Sequence, residues 1–457
     1  MNRVFKSKWS VAHQEYVVTD ENHRSRGKAA KSAVALAVTA LMLGAGAASA
    51  AYVDPGFVAK NSSQFAEAVT SWETPEYQKD WGLTALNAST AYALGYTGKG
   101  IAVGIMDSGA LMQIHPDLTG DRFHAVKVPG QSYGSSGDRY PQHTDGNLGH
   151  YEPGAAVPES GEWQKGVNDT HGTHVTGTVG GNRDGSEFHG VAWGADVYVG
   201  NTGGTDDTNY GPFEDPQYFY QGWSAIAKAV SDANRFSDGT TRGGFINNSF
   251  GTNMRVKDNG SKGPDGGNTG VHFKTNTASE TEYEYFLFQQ DAKNRVNTDS
   301  HWNGRSFVDA AYEAVKDEKV VQVFTTGNRD FANPFYRPLY PYFNPEAEQN
   351  WVAVAAMKQA DDGSYTLYST LNEAGEAKWW TVAAPGRAIY SSITDDDGNP
   401  SYALFSGTSM AAPHVTGALT VLMQRYDQMD ALQVRDVILT TATHKNGDAD
   451  FDGWMAK

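Results

Sequence analysis

Cysteine is absent from the 457 residues of this sequence. Its absence excludes disulfide bonds and a thiol nucleophile, but it does not locate the protein, because many exported bacterial proteins also lack cysteine. Long hydrophobic runs are missing from most of the chain as well. Beyond residue 50, no stretch of 18 or more residues is apolar, so the body of the chain is predicted to have no membrane-spanning helix.

Basic side chains are few compared with acidic ones. The sequence has 36 Lys and Arg residues against 53 Asp and Glu residues, and its formal net charge is -17. Proteins that bind nucleic acid contact phosphates through basic side chains, so this balance argues against a nucleic-acid partner. The hydrophobic content of 39% and the aromatic content of 12% are typical of a globular protein with a sizeable core.

The N-terminus has the features of a secretory signal peptide. Residues 3–31 are polar and rich in Arg and Lys, residues 33–43 form an uncharged apolar run, and A-S-A at residues 48–50 provides a cleavage site. A buried helix, the alternative, explains neither the charge before the run nor the small residues after it. The long polar segment resembles the extended signal region of Gram-negative autotransporters. We therefore predict that residues 1–50 direct export, which places the protein in the periplasm, at the cell surface or outside a Gram-negative bacterium.

The body of the chain alternates between two patterns. Short apolar runs bounded by glycine indicate buried strands, and segments with helical spacing lie between them. This alternation predicts an α/β fold with a mostly parallel central sheet and helices on both faces. The predicted strands cover residues 101–106, 191–199, 244–246, 320–324 and 351–356, and the predicted helices cover residues 220–234 and 306–317. Residues 119–166 and 252–300 are rich in turn-forming residues and are predicted to be surface insertions beside a site.

Two segments contain a candidate catalytic carboxylate and a candidate catalytic imidazole. Asp107 directly follows an apolar run, and catalytic groups of parallel sheets collect at the carboxyl ends of strands. On its own, a turn-capping Asp is the better interpretation. His171 lies among small residues in D-T-H-G-T-H-V-T-G, residues 169–177. Two alternatives to a catalytic role are a histidine buried in the core and a zinc site formed with His174, three residues later. Zinc needs at least a third ligand, and the H-E-x-x-H pattern is absent.

The most specific segment is F-S-G-T-S-M-A-A-P-H-V-T-G, residues 405–417. Gly407 permits a close approach, and Ser409 then begins a helix whose free backbone N–H groups point outward. A serine there can attack a carbonyl while its own N–H binds the developing oxyanion. Pro413 is expected in the first turn, where its missing N–H costs little. A simple N-cap serine, the alternative, does not explain the surrounding Gly and Ala.

These segments resemble the subtilisin-like serine peptidase family. The motifs D-S-G at Asp107, H-G-T-H-V-T-G at His171, T-G-N at Asn328 and G-T-S-M-A-A-P-H-V at Ser409 follow one another in the family's order. The resemblance covers residues 81–445 and implies a three-layer subtilisin-like α/β fold. It implies that Ser409 is the nucleophile and His171 the general base and acid, that Asp107 orients His171, and that Asn328 stabilises the oxyanion. The implied enzyme is a serine endopeptidase that forms an acyl-enzyme from polypeptide substrates.

The resemblance also implies a substrate-binding region. Residues 246–251, I-N-N-S-F-G, are similar to the family's strand that pairs with an extended substrate backbone. The residues implied to line the S1 pocket are Ser249, Phe250, Gly251, Thr325, Thr326 and Gly327. Arg329 follows Asn328, and its position predicts a modest preference for acidic or hydrogen-bonding side chains at P1.

The chain departs from the family pattern at both ends. Residues 51–80 are predicted to form an N-terminal arm, and this segment is too short for a separately folded prodomain. Such short arms resemble the autotransporter subgroup, whose members carry a stalk and an outer-membrane β-barrel behind the peptidase. No alternating barrel strands precede Lys457. Two expectations therefore stay open: the sequence is a fragment without its barrel, or the protein reaches the outside by another route.

No cofactor is required by the implied chemistry, and no metal site is predicted. The tail, residues 446–457, contains D-A-D-F-D-G, which matches the start of a calcium loop but lacks the closing Glu. A solvated acidic loop is the better interpretation, although structural calcium stays open because it is common in the family. Two other functions compete with a serine peptidase. One is a non-catalytic binding domain on the same fold, and the other is a zinc hydrolase that uses His171 and His174.

Overall fold

The computed structural model of the protein describes residues 54–127, 160–165, 168–202, 216–250, 300–328, 330–395 and 397–442. It also describes the backbone of an antiparallel hairpin near the N-terminus, formed by β1 (Phe5–Ser10) and β2 (Glu15–Asp20). The predicted apolar signal run and cleavage site, most of both insertions, Gly251, Arg329 and the acidic tail lie outside the described residues.

A layer of aromatic side chains fixes the predicted arm onto the domain. The predicted arm, residues 51–80, contains α1 (Phe65–Trp72), and α2 (Trp81–Ala85) and α3 (Ala88–Ala93) follow it. The ring of Trp72 packs edge-on against Tyr92, with centroids 5.8 Å apart, and lies 6.0 Å from the ring of Trp193. The buried guanidinium of Arg183 lies over the ring of Trp72 and pairs with Asp54. Because these groups are apolar or paired, the arm packs as part of the folded body.

Strands and helices then alternate along the chain, as predicted. In order, they are β3 (Ala102–Asp107), β4 (Phe123–Ala125), α4 (His171–Gly180), β5 (Asp196–Asn201), α5 (Pro216–Ala233), β6 (Gly244–Asn248), α6 (Phe307–Glu313), β7 (Val320–Thr325), α7 (Tyr340–Phe343), β8 (Trp351–Gln359), β9 (Tyr365–Leu367), β10 (Thr381–Pro385), β11 (Ile389–Thr394), β12 (Pro400–Phe405), α8 (Thr408–Arg425) and α9 (Ala431–Thr441).

The central sheet is mostly parallel, which confirms the predicted fold class. Its strand order is β10-β8-β7-β6-β3-β5-β4, and each neighbouring pair in that order is parallel. Strand β9 adds an antiparallel pair to β8. The hairpin of β11 and β12 stands outside the sheet and contacts α4.

Alternate side chains of each strand face two separate cores. In β3, Val103 and Ile105 pack in one core with helices α4, α8 and α9. Ala102 and Met106 face the opposite side and pack in the other core with α5 and α6. This two-residue period, with helices on both faces of one sheet, is the predicted three-layer α/β arrangement.

Two predicted boundaries were wrong. Strand β5 begins at Asp196 and not at residue 191, because Val191 and Ala192 donate their backbone N–H groups to the end of α4, at Thr178 and Val179. The predicted insertion 119–166 also starts too early. Strand β4 lies within it and pairs with β5 at the edge of the sheet.

Candidate active site

Three adjacent strands deliver the predicted site residues to one edge of the sheet. Strands β3, β6 and β7 are neighbours and parallel, so their carboxyl ends lie side by side. Asp107 is the last residue of β3, Ser249 directly follows β6, and Thr325 ends β7. Ligands and catalytic groups of parallel α/β proteins collect at this edge.

Asp107 and His171 form a buried contact at this edge. Asp107 Oδ1 lies 2.8 Å from His171 Nδ1, and the same oxygen accepts the backbone N–H of Ser108 at 2.8 Å. A carboxylate oxygen only accepts, so Nδ1 of His171 carries the proton and donates it. The other ring nitrogen, Nε2, is thereby left as the acceptor in the neutral imidazole, which is the tautomer that a general base needs.

Ser409 is the second residue of α8 and exchanges hydrogen bonds with Ser249. Its hydroxyl donates to the Ser249 carbonyl at 2.6 Å, and the Ser249 hydroxyl donates to the Ser409 carbonyl at 2.8 Å. In this conformation the Ser409 hydroxyl therefore points to Ser249 and not to His171. The proton transfer from Ser409 to His171 that their implied roles require stays a prediction.

Pro413 explains why the Ser409 carbonyl accepts from a side chain. Pro413 is the sixth residue of α8, so its expected place in the first turn was wrong. It lies four residues after Ser409 and has no N–H to donate to that carbonyl. The Ser249 hydroxyl takes the place of the missing helical donor. Asn247 donates to the Ser249 hydroxyl at 2.8 Å, and this fixes its direction.

Asn328 lies beside the start of α8 with its amide oriented. Its Oδ1 accepts from the backbone N–H of Thr408 and from the Thr408 hydroxyl, each at 2.9 Å. Because both partners are donors, the side-chain oxygen occupies that position and Nδ2 faces Gly407. A β-carbon on Gly407 would lie 3.2 Å from Nδ2. Thr408 lies in the quoted motif, but its role was missed, because the sequence does not show that its hydroxyl contacts Asn328.

The two segments implied to line the S1 pocket follow the ends of the neighbouring parallel strands β6 and β7. The Thr326 hydroxyl donates to the Asn372 carbonyl at 2.8 Å, and this contact holds the segment from Thr325 to Gly327. Gly327 has a φ of 119°, and a β-carbon there would lie 2.5 Å from the ring of Phe335. Both facts require glycine.

Phe250 contributes only its backbone to this region. Its side chain is buried in the core of α5 and α6, with its ring centroid 6.2 Å from that of Phe219 and 6.5 Å from that of Trp223. Gly251 and Arg329 lie outside the described residues. The P1 preference that Arg329 suggested therefore stays a prediction.

His174 is a core histidine in this structure. Its Nε2 lies 3.0 Å from the Ile389 carbonyl, to which it donates, and its ring stacks on Phe405 with centroids 4.5 Å apart. Burial lowers the pKa of His174 to about 3, so the ring is neutral. Because Nε2 carries a proton, this nitrogen of His174 cannot bind zinc. Among the described residues, no three His, Cys, Asp or Glu side chains lie together as a metal site would require.

The side chain of Asp395 holds a turn with Asp397 and Asn399. Asp395 accepts the backbone N–H groups of Asp397 at 2.9 Å and of Asn399 at 2.7 Å. Asp396 lies outside the described residues.

Two parts of the chain match known families. Residues 98–454 match the Subtilase family, Peptidase_S8, and residues 1–50 match the Extended Signal Peptide of Type V secretion system. The first match includes Asp107, His171 and Ser409. The second confirms the prediction of an extended signal peptide and of export in a Gram-negative bacterium.

Similar proteins include an extracellular serine protease and an autotransporter lipoprotein. The Extracellular serine protease of Serratia marcescens is 30% identical over 419 residues, which cover 86% of this chain and 33% of that protein. The Neisserial autotransporter lipoprotein NalP of Neisseria meningitidis serogroup B is 24% identical over 380 residues, which cover 78% of this chain and 32% of that protein. The chain thus spans about a third of the length of these relatives. Among solved structures, fervidolysin from Fervidobacterium pennivorans is 21% identical over 87% of this chain and 47% of that chain, with a TM-score of 0.45.

The family match, the order of its motifs and the buried contact between Asp107 and His171 agree with one another. Within the described residues, no helix is both long enough and apolar enough to cross a membrane. Because the Subtilase family match extends over residues 98–454, the chain belongs to the subtilase family of serine peptidases.

Proposed function

We propose that this chain is an exported serine endopeptidase that cleaves extended polypeptides through Asp107, His171 and Ser409. The observation that carries the proposal is the 2.8 Å contact between Asp107 Oδ1 and His171 Nδ1 at the carboxyl edge of the sheet. It fixes the tautomer in which Nε2 is the nitrogen that accepts a proton. The start of α8, with Ser409 as its second residue, lies at the same edge through its contacts with Ser249 and Asn328.

The first half of the reaction forms an acyl-enzyme. Rotation of the Ser409 side chain carries its hydroxyl from the Ser249 carbonyl towards His171. Nε2 of His171 takes the hydroxyl proton as Oγ attacks the peptide carbonyl, and the electron pair of the carbonyl moves to its oxygen. Nδ2 of Asn328 and the Ser409 N–H donate to that oxyanion. The tetrahedral species then expels the amine, which leaves with the proton from His171.

The second half of the reaction restores the enzyme. Water attacks the acyl ester while His171 takes one of its protons, and the Ser409 oxygen leaves and regains that proton as the acid product departs. The imidazole must be neutral at the start of each half. We therefore expect activity to rise through neutral pH, and full activity at pH 4 would contradict this mechanism.

The substrates that we propose are polypeptides in extended conformation. A peptide that pairs with the backbone beyond β6 gains affinity through main-chain hydrogen bonds that do not depend on its sequence. None of these steps passes through a metal. Structural calcium stays a prediction, because the acidic tail that suggested it lies outside the described residues.

Labelling with a fluorophosphonate tests the proposal against a binding domain without catalytic activity. We expect the wild-type chain to be labelled, with the adduct on Ser409 by peptide mapping, and Ser409→Ala to stay unlabelled. Ser231→Ala is the matched control, because Ser231 is a buried serine whose hydroxyl donates to the Glu318 carbonyl away from the site. Label in Ser231→Ala but none in Ser409→Ala supports the enzyme. No label in the wild type favours a binding domain, and loss of activity with a chelator but not with the serine reagent favours the zinc hydrolase.

A further inference from the structure

A second carboxylate lies beside His171. Asp169, two residues before His171, points its side chain back towards the end of β3. Its Oδ1 accepts the backbone N–H of His171 at 2.7 Å and the hydroxyl of Ser108 at 2.8 Å. The proposed mechanism assigns no role to this group. A carboxylate at the start of a helix is common, but this one also contacts the strand that carries Asp107.

Ser108 connects the two carboxylates to the first turn of α4. Its backbone N–H donates to Asp107 Oδ1 at 2.8 Å, and its hydroxyl donates to Asp169 while it accepts the N–H of Gly172 at 2.9 Å. The contacts form a closed ring through Asp107, Ser108, Asp169 and His171. Each of its hydrogen bonds restrains where α4 begins relative to β3, and therefore where the imidazole lies relative to Asp107.

We propose that Asp169 is a positioning residue that holds the first turn of α4 on the end of β3 and supplies a second negative charge to protonated His171. This inference rests on the proposed peptidase function. As His171 takes the proton of Ser409, the imidazolium that forms is stabilised by Asp107 through a direct hydrogen bond and by Asp169 through its charge.

The ionisable groups around Asp169 lie on two elements, β3 and α4. They are Asp107 on β3 and His171 on α4, with His174 one turn further along α4. Burial, together with repulsion from Asp107, raises the pKa of Asp169 above its usual value, while attraction to His171 and the hydrogen bonds from His171 and Ser108 oppose that rise. His174 is neutral and adds no charge. The imidazole of His171 is thus the cation that the two carboxylates share when it is protonated.

Asp169→Asn separates the charge from the hydrogen bonds. The amide oxygen can still accept from His171 and Ser108, so the variant keeps both contacts and loses the negative charge. In the pH profile of kcat/KM, we expect the acid limb to move about one pH unit lower, because the imidazolium loses a stabilising charge. We also expect kcat on the plateau to fall about tenfold while KM changes less than twofold, because the group acts on the transition state and not on substrate binding.

Asp309→Asn is the matched control. Asp309 also lies in the first turn of a helix and accepts from a serine hydroxyl, that of Ser306 at 2.8 Å, but it belongs to α6 on the opposite face of the sheet. This variant is expected to leave the acid limb where it is in the wild type.

Ser108→Ala is the second test variant, since it keeps the charge of Asp169 and breaks the ring of hydrogen bonds. Its plateau kcat is expected to fall while its acid limb stays within about 0.3 pH units of the wild type.

NMR titration of the His171 ring separates this inference from the peptidase function. It compares Ser409→Ala with Ser409→Ala/Asp169→Asn, so it needs no turnover. A lower His171 titration midpoint in the double variant supports the inference even if the wild type resists fluorophosphonate, in which case the peptidase function alone fails. Equal midpoints in the two chains overturn the charge role of Asp169. If Asp169→Asn does not fold, an unchanged plateau kcat in Ser108→Ala overturns the positioning role.

Discussion

His414 and Asp80 form a buried ion pair that joins the N-terminal arm to the helix that carries Ser409. Nε2 of His414 lies 2.9 Å from Asp80 Oδ2, and Nδ1 lies 2.7 Å from the Met410 carbonyl. Both partners are acceptors, so both ring nitrogens donate and the imidazole is protonated. Gly82 lies under the ring, where a β-carbon would be 2.0 Å from Nε2. The pair therefore fixes the start of α2 on α8, one turn beyond the proposed nucleophile.

This pair makes stability depend on pH. Burial alone would lower the pKa of His414, but attraction to Asp80 and the hydrogen bonds outweigh it, so the pKa lies above its usual value of 6.5. A group whose pKa is raised on folding contributes its full stability below the unfolded pKa and loses it as pH rises through the folded pKa. We expect the free energy of unfolding of Ser409→Ala, chosen to prevent autolysis, to decrease between pH 6.5 and pH 9.

Asp80→Asn in the same background tests the origin of that decrease. The amide still accepts from the Gly82 N–H but leaves a buried imidazolium without its counter-ion. We expect it to cost about 3 kcal/mol of stability at pH 6 and less at pH 9, measured by denaturant unfolding. Asp232→Asn, which removes an exposed carboxylate paired with Lys228, is the control and is expected to change little. An Asp80→Asn effect that is the same at both pH values would contradict the ion pair.

The hydroxyl of Ser249 is predicted to position the nucleophile. Ser249→Ala removes the donor to the Ser409 carbonyl and leaves Asn247 Nδ2 without its acceptor. Two buried groups lose their partners, so we expect about 1–3 kcal/mol of destabilisation together with a lower kcat. The control is Ser231→Ala, which also removes one buried serine hydroxyl. It is expected to lose stability but not kcat, and equal kcat values in both variants would exclude a role for the Ser249 hydroxyl at the site.

Asn328 is predicted to act mainly on the transition state. Asn328→Ala removes Nδ2, whose direction is fixed by the two hydrogen bonds from Thr408 to Oδ1. Loss of one oxyanion donor costs about 10²–10³-fold in kcat with little change in KM. Steady-state kinetics on a peptide ester or amide measures both values, and Asn399→Ala, an exposed turn residue that contacts Asp395, is the control. An increase in KM with unchanged kcat would show that Asn328 only binds substrate.

Local patterns predicted the residues that follow strands or begin helices. Asp107, His171 and Ser409 were found because each lies in a short motif where a strand ends or a helix begins. The ion pair of Asp80 and His414 was missed, because its partners are 334 residues apart and neither lies in a pattern that requires the other. Strand β4 was missed because three residues are too short for a periodic signal. Asp169 was quoted as part of a motif, but its contact with Ser108 depends on how β3 and α4 pack together.

The contact between Asp107 and His171 leads to a last prediction, about Asp107→Asn. In the chymotrypsin-type triad an asparagine at this position selects the wrong tautomer of the imidazole, with about 10⁴-fold lower kcat. Here one oxygen, Oδ1, accepts from both His171 and Ser108, while Oδ2 is buried and has no hydrogen-bond partner among the described residues. The Ser108 N–H therefore favours the amide oxygen at the Oδ1 position, where it can still accept the proton on Nδ1 of His171.

We accordingly expect Asp107→Asn to keep the Nδ1–H tautomer, seen in the ¹⁵N shifts of the ring, and to lose only the charge that stabilises the imidazolium. The expected fall in kcat is about 10²–10³-fold, smaller than the loss for a wrong tautomer, with KM close to that of the wild type. Asp309→Asn serves as the control for a carboxylate exchanged elsewhere in the fold. A ring protonated at Nε2 in Asp107→Asn would show that the hydrogen bond from Ser108 does not set the orientation of the amide.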